Sequence, residues 1–141
     1  MRPEQLERQV VIGQVALDPV GELAAYTRRS VAGGRDRIDV WTVPYEGGEE
    51  RQLTDGTSWD TGPRFSPDGA AIAYLSGEPG DDAQVWLMDR DGGSPRRVAD
   101  FPHGAGDIAW LPAGDALIVL AEDEHFPATC VQARRRSRLR G

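Results

Sequence analysis

The chain has 141 residues, 23 acidic against 16 basic side chains, and a formal charge of −7. Every cation is an arginine, and the first 130 residues hold all the acids but only 11 of the arginines, a balance that argues against a phosphate-binding surface. One cysteine, Cys130, rules out an intramolecular disulfide, and no apolar run approaches the roughly 18 residues needed to span a bilayer.

Residues 1–12 read as a polar N-terminal segment in which Pro3 to Gln9 have the composition of a short helix capping the first strands. Asp18-Pro19-Val20-Gly21 is a turn, and Leu23 to Thr27 is a strand. After a polar loop from Arg28 to Arg37 comes the strand Val40-Trp41-Thr42-Val43, then the Gly47-Gly48 turn and a short run ending in Leu53-Thr54-Asp55. From Gly62 the pattern starts again, better formed. Phe65-Ser66-Pro67-Asp68-Gly69 ends a strand in a tight turn, because Pro67 presets φ, Asp68 accepts local backbone hydrogen bonds and Gly69 tolerates positive φ. Ala71 to Leu75 and Gln84 to Met88 are strands, Asp91-Gly92-Gly93 turns the chain, and Arg96-Arg97-Val98 is a charged strand suited to an edge.

The second pattern repeats the first 45 residues later: Val40-Trp41 returns as Val85-Trp86, Gly47-Gly48 as Gly92-Gly93, and Leu53-Thr54-Asp55 as Val98-Ala99-Asp100. A third copy opens with Trp110-Leu111-Pro112-Ala113-Gly114 and Ala116 to Ala121. It then gives way to Arg-rich sequence with neither a Val-Trp pair nor a Gly-Gly turn. A period of about 40 to 50 residues with four short strands per unit is the mark of a β-propeller blade. The predicted fold is therefore all-β: a partial propeller over residues 13–124 with about two and a half four-stranded antiparallel blades (13–55, 62–100 and an incomplete 107–122). Residues 125–141 are expected to form a disordered tail, such as a frameshift in GC-rich coding sequence would leave. A ring of self-assembled copies is not expected, because the third blade lacks residues for its next strand.

No residue set in the sequence carries chemistry. Ser30, Ser58, Ser66, Ser76, Ser94 and Ser137 all lack the glycines of a nucleophile turn, and His103 and His125 are the only histidines. Cys130 has no base near it in sequence. Asp89-Arg90-Asp91-Gly92 and Gly80-Asp81-Asp82 lack the alternating ligands and distal glutamate of a calcium loop and read as turns. Glu122-Asp123-Glu124 reads as solvated surface. Tyr26 and Tyr74, Trp41 and Trp86, and Phe65 and Trp110 recur at the blade period, which predicts packing between blades. No catalytic, cofactor-binding or metal-binding residue is nominated.

The Phe65-Ser66-Pro67-Asp68-Gly69 turn with Ala71 to Tyr74 and Val85 to Asp89 resembles the WD-like repeats of TolB and of the prolyl oligopeptidase family. The opening Pro3-Glu4-Gln5-Leu6, the worn Asp18-Pro19-Val20-Gly21 turn and Val40-Trp41-Thr42-Val43-Pro44 extend the likeness to the acylaminoacyl-peptidase and dipeptidyl-peptidase branch. The resemblance implies an N-terminal propeller gating peptide access to a C-terminal α/β-hydrolase domain with a Ser-Asp-His triad, none of which falls in these residues. The chain by itself is then a truncated, non-catalytic propeller, with peptides as substrates of the intact parent and no nucleic acid or membrane as partner. A TolB-like propeller segment serving as a protein-interaction module is the other reading. Met1-Arg2-Pro3-Glu4-Gln5 has no export-signal pattern, so a cytoplasmic location is expected.

Overall fold

A computed structural model describes residues 11–56, 58–121 and 129–134. Among the described residues eleven strands follow one another: β1 (Val11–Leu17), β2 (Leu23–Ala32), β3 (Arg35–Pro44), β4 (Arg51–Gln52), β5 (Trp59–Phe65), β6 (Ala71–Gly77), β7 (Gln84–Asp89), β8 (Arg96–Ala99), β9 (Ala105–Trp110), β10 (Ala116–Ala121) and β11 (Thr129–Arg134). Within each group consecutive strands pair antiparallel, giving blades β1–β4, β5–β8 and β9–β11. A parallel bridge, Ile38 to Trp59, ties β3 of the first blade to β5 of the second. The predicted all-β propeller with four-stranded antiparallel blades is the fold observed.

The first turn of each blade has one geometry. Gly69, Gly21 and Gly114 sit at φ 73°, 80° and 75° and donate their amides to the carbonyls of Ser66, Asp18 and Leu111. In the second blade Ser66 Oγ donates to Asp68 Oδ1 at 2.6 Å and accepts from the Ala71 amide at 3.0 Å, locking the turn with side chains the other two blades have lost.

The faces of β6 show how blades stack. Ala71, Ala73 and Leu75, with Val85 and Leu87 of β7, pack forward against Ile108, Leu117, Val119 and Ala121 of the third blade. Ile72, Tyr74 and Met88 face backward with Phe65 and bury Ala25 and Val40 of the first blade. Period-2 alternation sends each strand's apolar residues into two different cores, so the molecule has a core at each seam between blades.

Two expectations need correction. Residues 125–141 were expected to be unstructured and the third blade to stop after its second strand, yet β11 pairs with β10 along its whole length, from Ala116 with Arg134 to Ala121 with Thr129. The physical reason is that the free edge of β10 has backbone groups to satisfy, and the β-branched Thr129 and Val131 suit a strand without the Trp and Gly-Gly landmarks of the repeat. Residues 135–141 lie outside the described residues, as does the predicted capping helix within residues 1–10. The second correction concerns Arg28 to Arg37, read as a polar loop. The segment is instead the extended end of the β2–β3 hairpin, paired as far as Ala32 with Arg35 and closed by Gly33-Gly34 at φ 60° and 75°. Two consecutive positive φ values make the two-residue turn whose twist matches a hairpin, and alternating charge masked the strand pattern.

Candidate functional site at the seam of the first two blades

Strands β1, β5 and β9 open the three blades, and β5 touches both β1 and β9, so these strands converge on the inner side of the array. Both β1 and β5 break register midway, between Ile12 and Val15 and between Thr61 and Arg64. Such bulges re-aim side chains. Gln14, in the first bulge, turns its Oε1 to accept the amide of Gly62 in the second at 2.7 Å. The equivalent seam between the second and third blades is held by Trp110, whose Nε1 donates to the Arg64 carbonyl at 3.0 Å, and by Arg64 with Asp107 at 3.8 Å.

Beside the Gln14 bridge lies a cleft of about 270 Å³ lined by Val11, Gly13, Gln14, Thr27, Arg29, Ile38 and Thr61. Apolar walls from Val11 and Ile38 flank two hydroxyls, an amide and a guanidinium. Arg29 is neutralised by a bidentate hydrogen bond to Asp36 and lies over the Trp59 ring at 5.5 Å from its centroid. The surface of the cleft is mainly apolar, since Arg29 and the Gln14 oxygen are already paired within the protein, and it offers no nucleophile with an attendant base. Its residues come from strands of two blades, and no spacing in the sequence points to them.

Below the same seam two carboxylates are buried. Asp39 of β3 is 2% exposed and Asp60 of β5 is 5% exposed. Arg37 Nε stands 3.7 Å from Asp39 Oδ2, while Asp39 Oδ1 accepts no hydrogen bond within the protein. Burial pushes the Asp39 carboxyl up to about 6; Arg37 opposes the shift, and the charges of Asp60 and Asp55 add to it. Burial also raises Asp60, against hydrogen bonds from Ser76 and Thr54. An unfolded aspartate titrates near 3.9, so between about pH 4 and 6 the unfolded chain has released a proton that folded Asp39 keeps. Folding stability from this group therefore falls as pH rises through that window and is level above it. Replacing Asp39 by asparagine should stabilise the protein at pH 7 by about 1 kcal/mol. That is well below the roughly 3 kcal/mol of the whole shift, because the asparagine amide must itself be buried where Asp39 Oδ1 has no hydrogen-bond partner within the protein. Urea midpoints at pH 7 and pH 4 check this: the gain at pH 7 should vanish by pH 4.

The residues weighed in the sequence are scattered. Ser66 is fully buried and committed to its turn. His103 is exposed in the turn between β8 and β9, which Gly104 closes by donating to the Phe101 carbonyl. Cys130 lies on β11, paired in register with Leu120. Asp91 accepts from the Gly93 amide as a turn residue does, and among the described residues no three His, Cys, Asp or Glu side chains group to hold a metal. Phe65, Tyr74, Trp86 and Trp110 pack at seams as expected. Trp41 does not: it stands on the outer face of the first blade, paired with Tyr26 and covered by Arg28 at 4.6 Å from its ring centroid. Among the described residues no helix is long and apolar enough to cross a membrane.

Repeating turns, alternating cores and converging inner strands define a WD-like β-propeller, the class to which this chain belongs. No family model matches the chain. Its sequence is 34% identical over 103 residues to the uncharacterized peptidase YuxL of Bacillus subtilis, covering 72% of this chain and 16% of that protein. It is 30% identical over 124 residues to dipeptidyl-peptidase 5 of Porphyromonas endodontalis, covering 86% of this chain and 18% of that protein. Among solved structures, the β-propeller domain of the Trilobed protease from Pyrococcus furiosus superposes with a TM-score of 0.66 at 17% identity, over 90% of this chain and 44% of that one. The sequence is likewise 42% identical over 81 residues to the Tol-Pal system protein TolB 1 of Novosphingobium aromaticivorans, so its repeats are similar to those of proteins named peptidases and of TolB alike. The chain spans less than a fifth of these three curated relatives' lengths.

Proposed function

We propose that this chain is a propeller segment of a prolyl oligopeptidase-family serine peptidase, in which the complete propeller gates peptide access to a C-terminal α/β-hydrolase domain. The observation that carries this reading is the 30% identity to dipeptidyl-peptidase 5 across 124 residues, 86% of this chain. The role of such a segment is architectural: it stacks blades into a wall and leaves a mainly apolar cleft at the inner seam. Hydrolysis belongs to a serine on a sharp strand-to-helix turn with its histidine and acid, and the serines among the described residues sit in hairpins, strands and loops. The substrates are peptides, the location is the cytoplasm, and the segment has no hydrolytic activity of its own.

Two experiments test this. Purified chain incubated with aminoacyl esters and amides should release no product and should take no label from a serine-directed fluorophosphonate. Hydrolysis abolished by that reagent would overturn the assignment of a non-catalytic role. Translating the DNA beyond this reading frame in all three frames should yield further Ser-Pro-Asp-Gly-type blades and then a Gly-x-Ser-x-Gly motif. Finding neither within about two kilobases would leave a protein-interaction propeller as the better reading.

A further inference from the structure

The seam cleft stands where the repeat departs from itself at one buried position. Tyr26 pairs with Trp41 as Tyr74 pairs with Trp86, so the next residue along, Thr27 or Leu75, holds the same place in its blade. Leu75 is 7% exposed and belongs to the core of the seam between the second and third blades. Thr27 is as deeply buried, at 5%, but it is shorter, carries a hydroxyl and borders an open volume of about 270 Å³. Among the described residues no hydrogen bond satisfies that hydroxyl, nor that of Thr61 on β5 of the facing blade. A threonine with an unmet hydroxyl in place of a core leucine forfeits both apolar packing and a hydrogen bond. Local departures of this kind concentrate at functional sites.

The other groups around the cleft fix what it can hold. Its charge is spent, because Arg29 is paired with Asp36 and lies over Trp59. The Gln14 oxygen is committed to the Gly62 amide. What faces a ligand is therefore neutral: apolar surface from Val11, Gly13 and Ile38, and the hydroxyls of Thr27 and Thr61. Each hydroxyl can donate one hydrogen bond and accept others, which complements the N–H and C=O of a peptide group. The volume lies just below the ~300 Å³ at which drug-sized pockets begin, so it takes about one residue. We propose that this cleft binds a neutral aliphatic residue of a peptide, its side chain on Ile38 and its peptide group held by Thr27 and Thr61. Charged residues are excluded, since no unpaired charge faces them here and burial would strip their hydration. The choice of a peptide over another neutral amide rests on the peptidase reading; the site itself rests on the seam.

Titrating N-acetylleucine amide into the isotope-labelled 141-residue chain should move the backbone amide signals of Gly13, Thr27, Thr61 and Gly62 saturably. A ligand of this size should show a dissociation constant of about 1 mM. N-acetyllysine amide, with the same backbone, should leave those signals in place. Thr27→Val keeps the shape, removes one hydroxyl and should weaken binding about fivefold. Thr27→Leu installs the residue that the second blade carries, and should abolish binding while raising the melting temperature. No saturable shift at about ten times the expected constant would overturn the proposal. So would equal binding of the leucine and lysine amides, or a Thr27→Leu chain that binds as the parent does. Should that variant fail to fold, undiminished affinity in Thr27→Val overturns the proposal equally. Lost binding sinks the cleft and leaves the peptidase reading to the downstream DNA, whereas binding with no hydrolase encoded downstream keeps the cleft and sinks that reading.

Discussion

Replacing Ile72 with alanine will cost about 4 kcal/mol of folding stability. Ile72 is fully buried near the start of β6, opposite Phe65 on one side and Met88 on the other, within the core that joins the first two blades. Truncating a large aliphatic side chain to alanine loses its transfer free energy and leaves a cavity, typically about 2–5 kcal/mol in all. The upper half of that range applies because the site cannot collapse. Cross-strand neighbours hold β6 on both edges, and Tyr74 and Val40 are themselves 4% and 0% exposed. Domains of this size have about 5–15 kcal/mol in total, so the variant should lose a large part of its urea midpoint. The loss should exceed that of Ala73→Gly on the opposite face of the same strand. Equal losses would mean that the seam core does not dominate stability.

Arg90→Ala is expected to cost about 3 kcal/mol. Asp18 has a fully buried side chain, and Arg90 Nη2 donates to its Oδ2 at 2.8 Å. Arg90 Nη1 also donates to the Gly69 carbonyl at 2.8 Å, so one guanidinium clamps the first turn of the second blade to the first turn of the blade before it. Removing the cation leaves a buried carboxylate whose remaining hydrogen bond comes from the Val20 amide at 3.1 Å. Orphaning one partner of a buried pair commonly costs about 3–5 kcal/mol. The lower end applies because Arg90 is partly exposed. Its second carboxylate, Glu22 at 3.2 Å, is 72% exposed and adds little. Urea denaturation of a double-mutant cycle isolates the pair: in the Arg90→Ala background, Asp18→Asn should recover part of the loss. If the two substitutions simply add, the clamp is not the source of the effect.

The Arg90–Asp18 clamp also marks how far the sequence could be read. The worn turn Asp18-Pro19-Val20-Gly21 was legible as a turn because proline and glycine act on their own backbone. That an aspartate replaces Ser66 there in order to meet an arginine 72 residues away was not legible. The Gly33-Gly34 hairpin was missed because its flanking strands alternate charge rather than hydrophobicity. Strand β11 was missed for a related reason: edge pairing needs only a partner backbone and leaves no apolar period to find. The seam cleft drew no signal at all, since Gln14, Arg29 and Thr61 are unremarkable until β1, β2 and β5 converge.

By itself the sequence determined the blade and its period, because turn chemistry and two-residue alternation are local properties repeated every 45 residues. Only the tertiary structure decided that the third blade has a third strand, and which faces are used in seams. It alone placed Asp39 and Asp60 in one buried seam. Those outcomes depend on how neighbouring blades stack, and stacking brings together residues that the chain itself keeps apart.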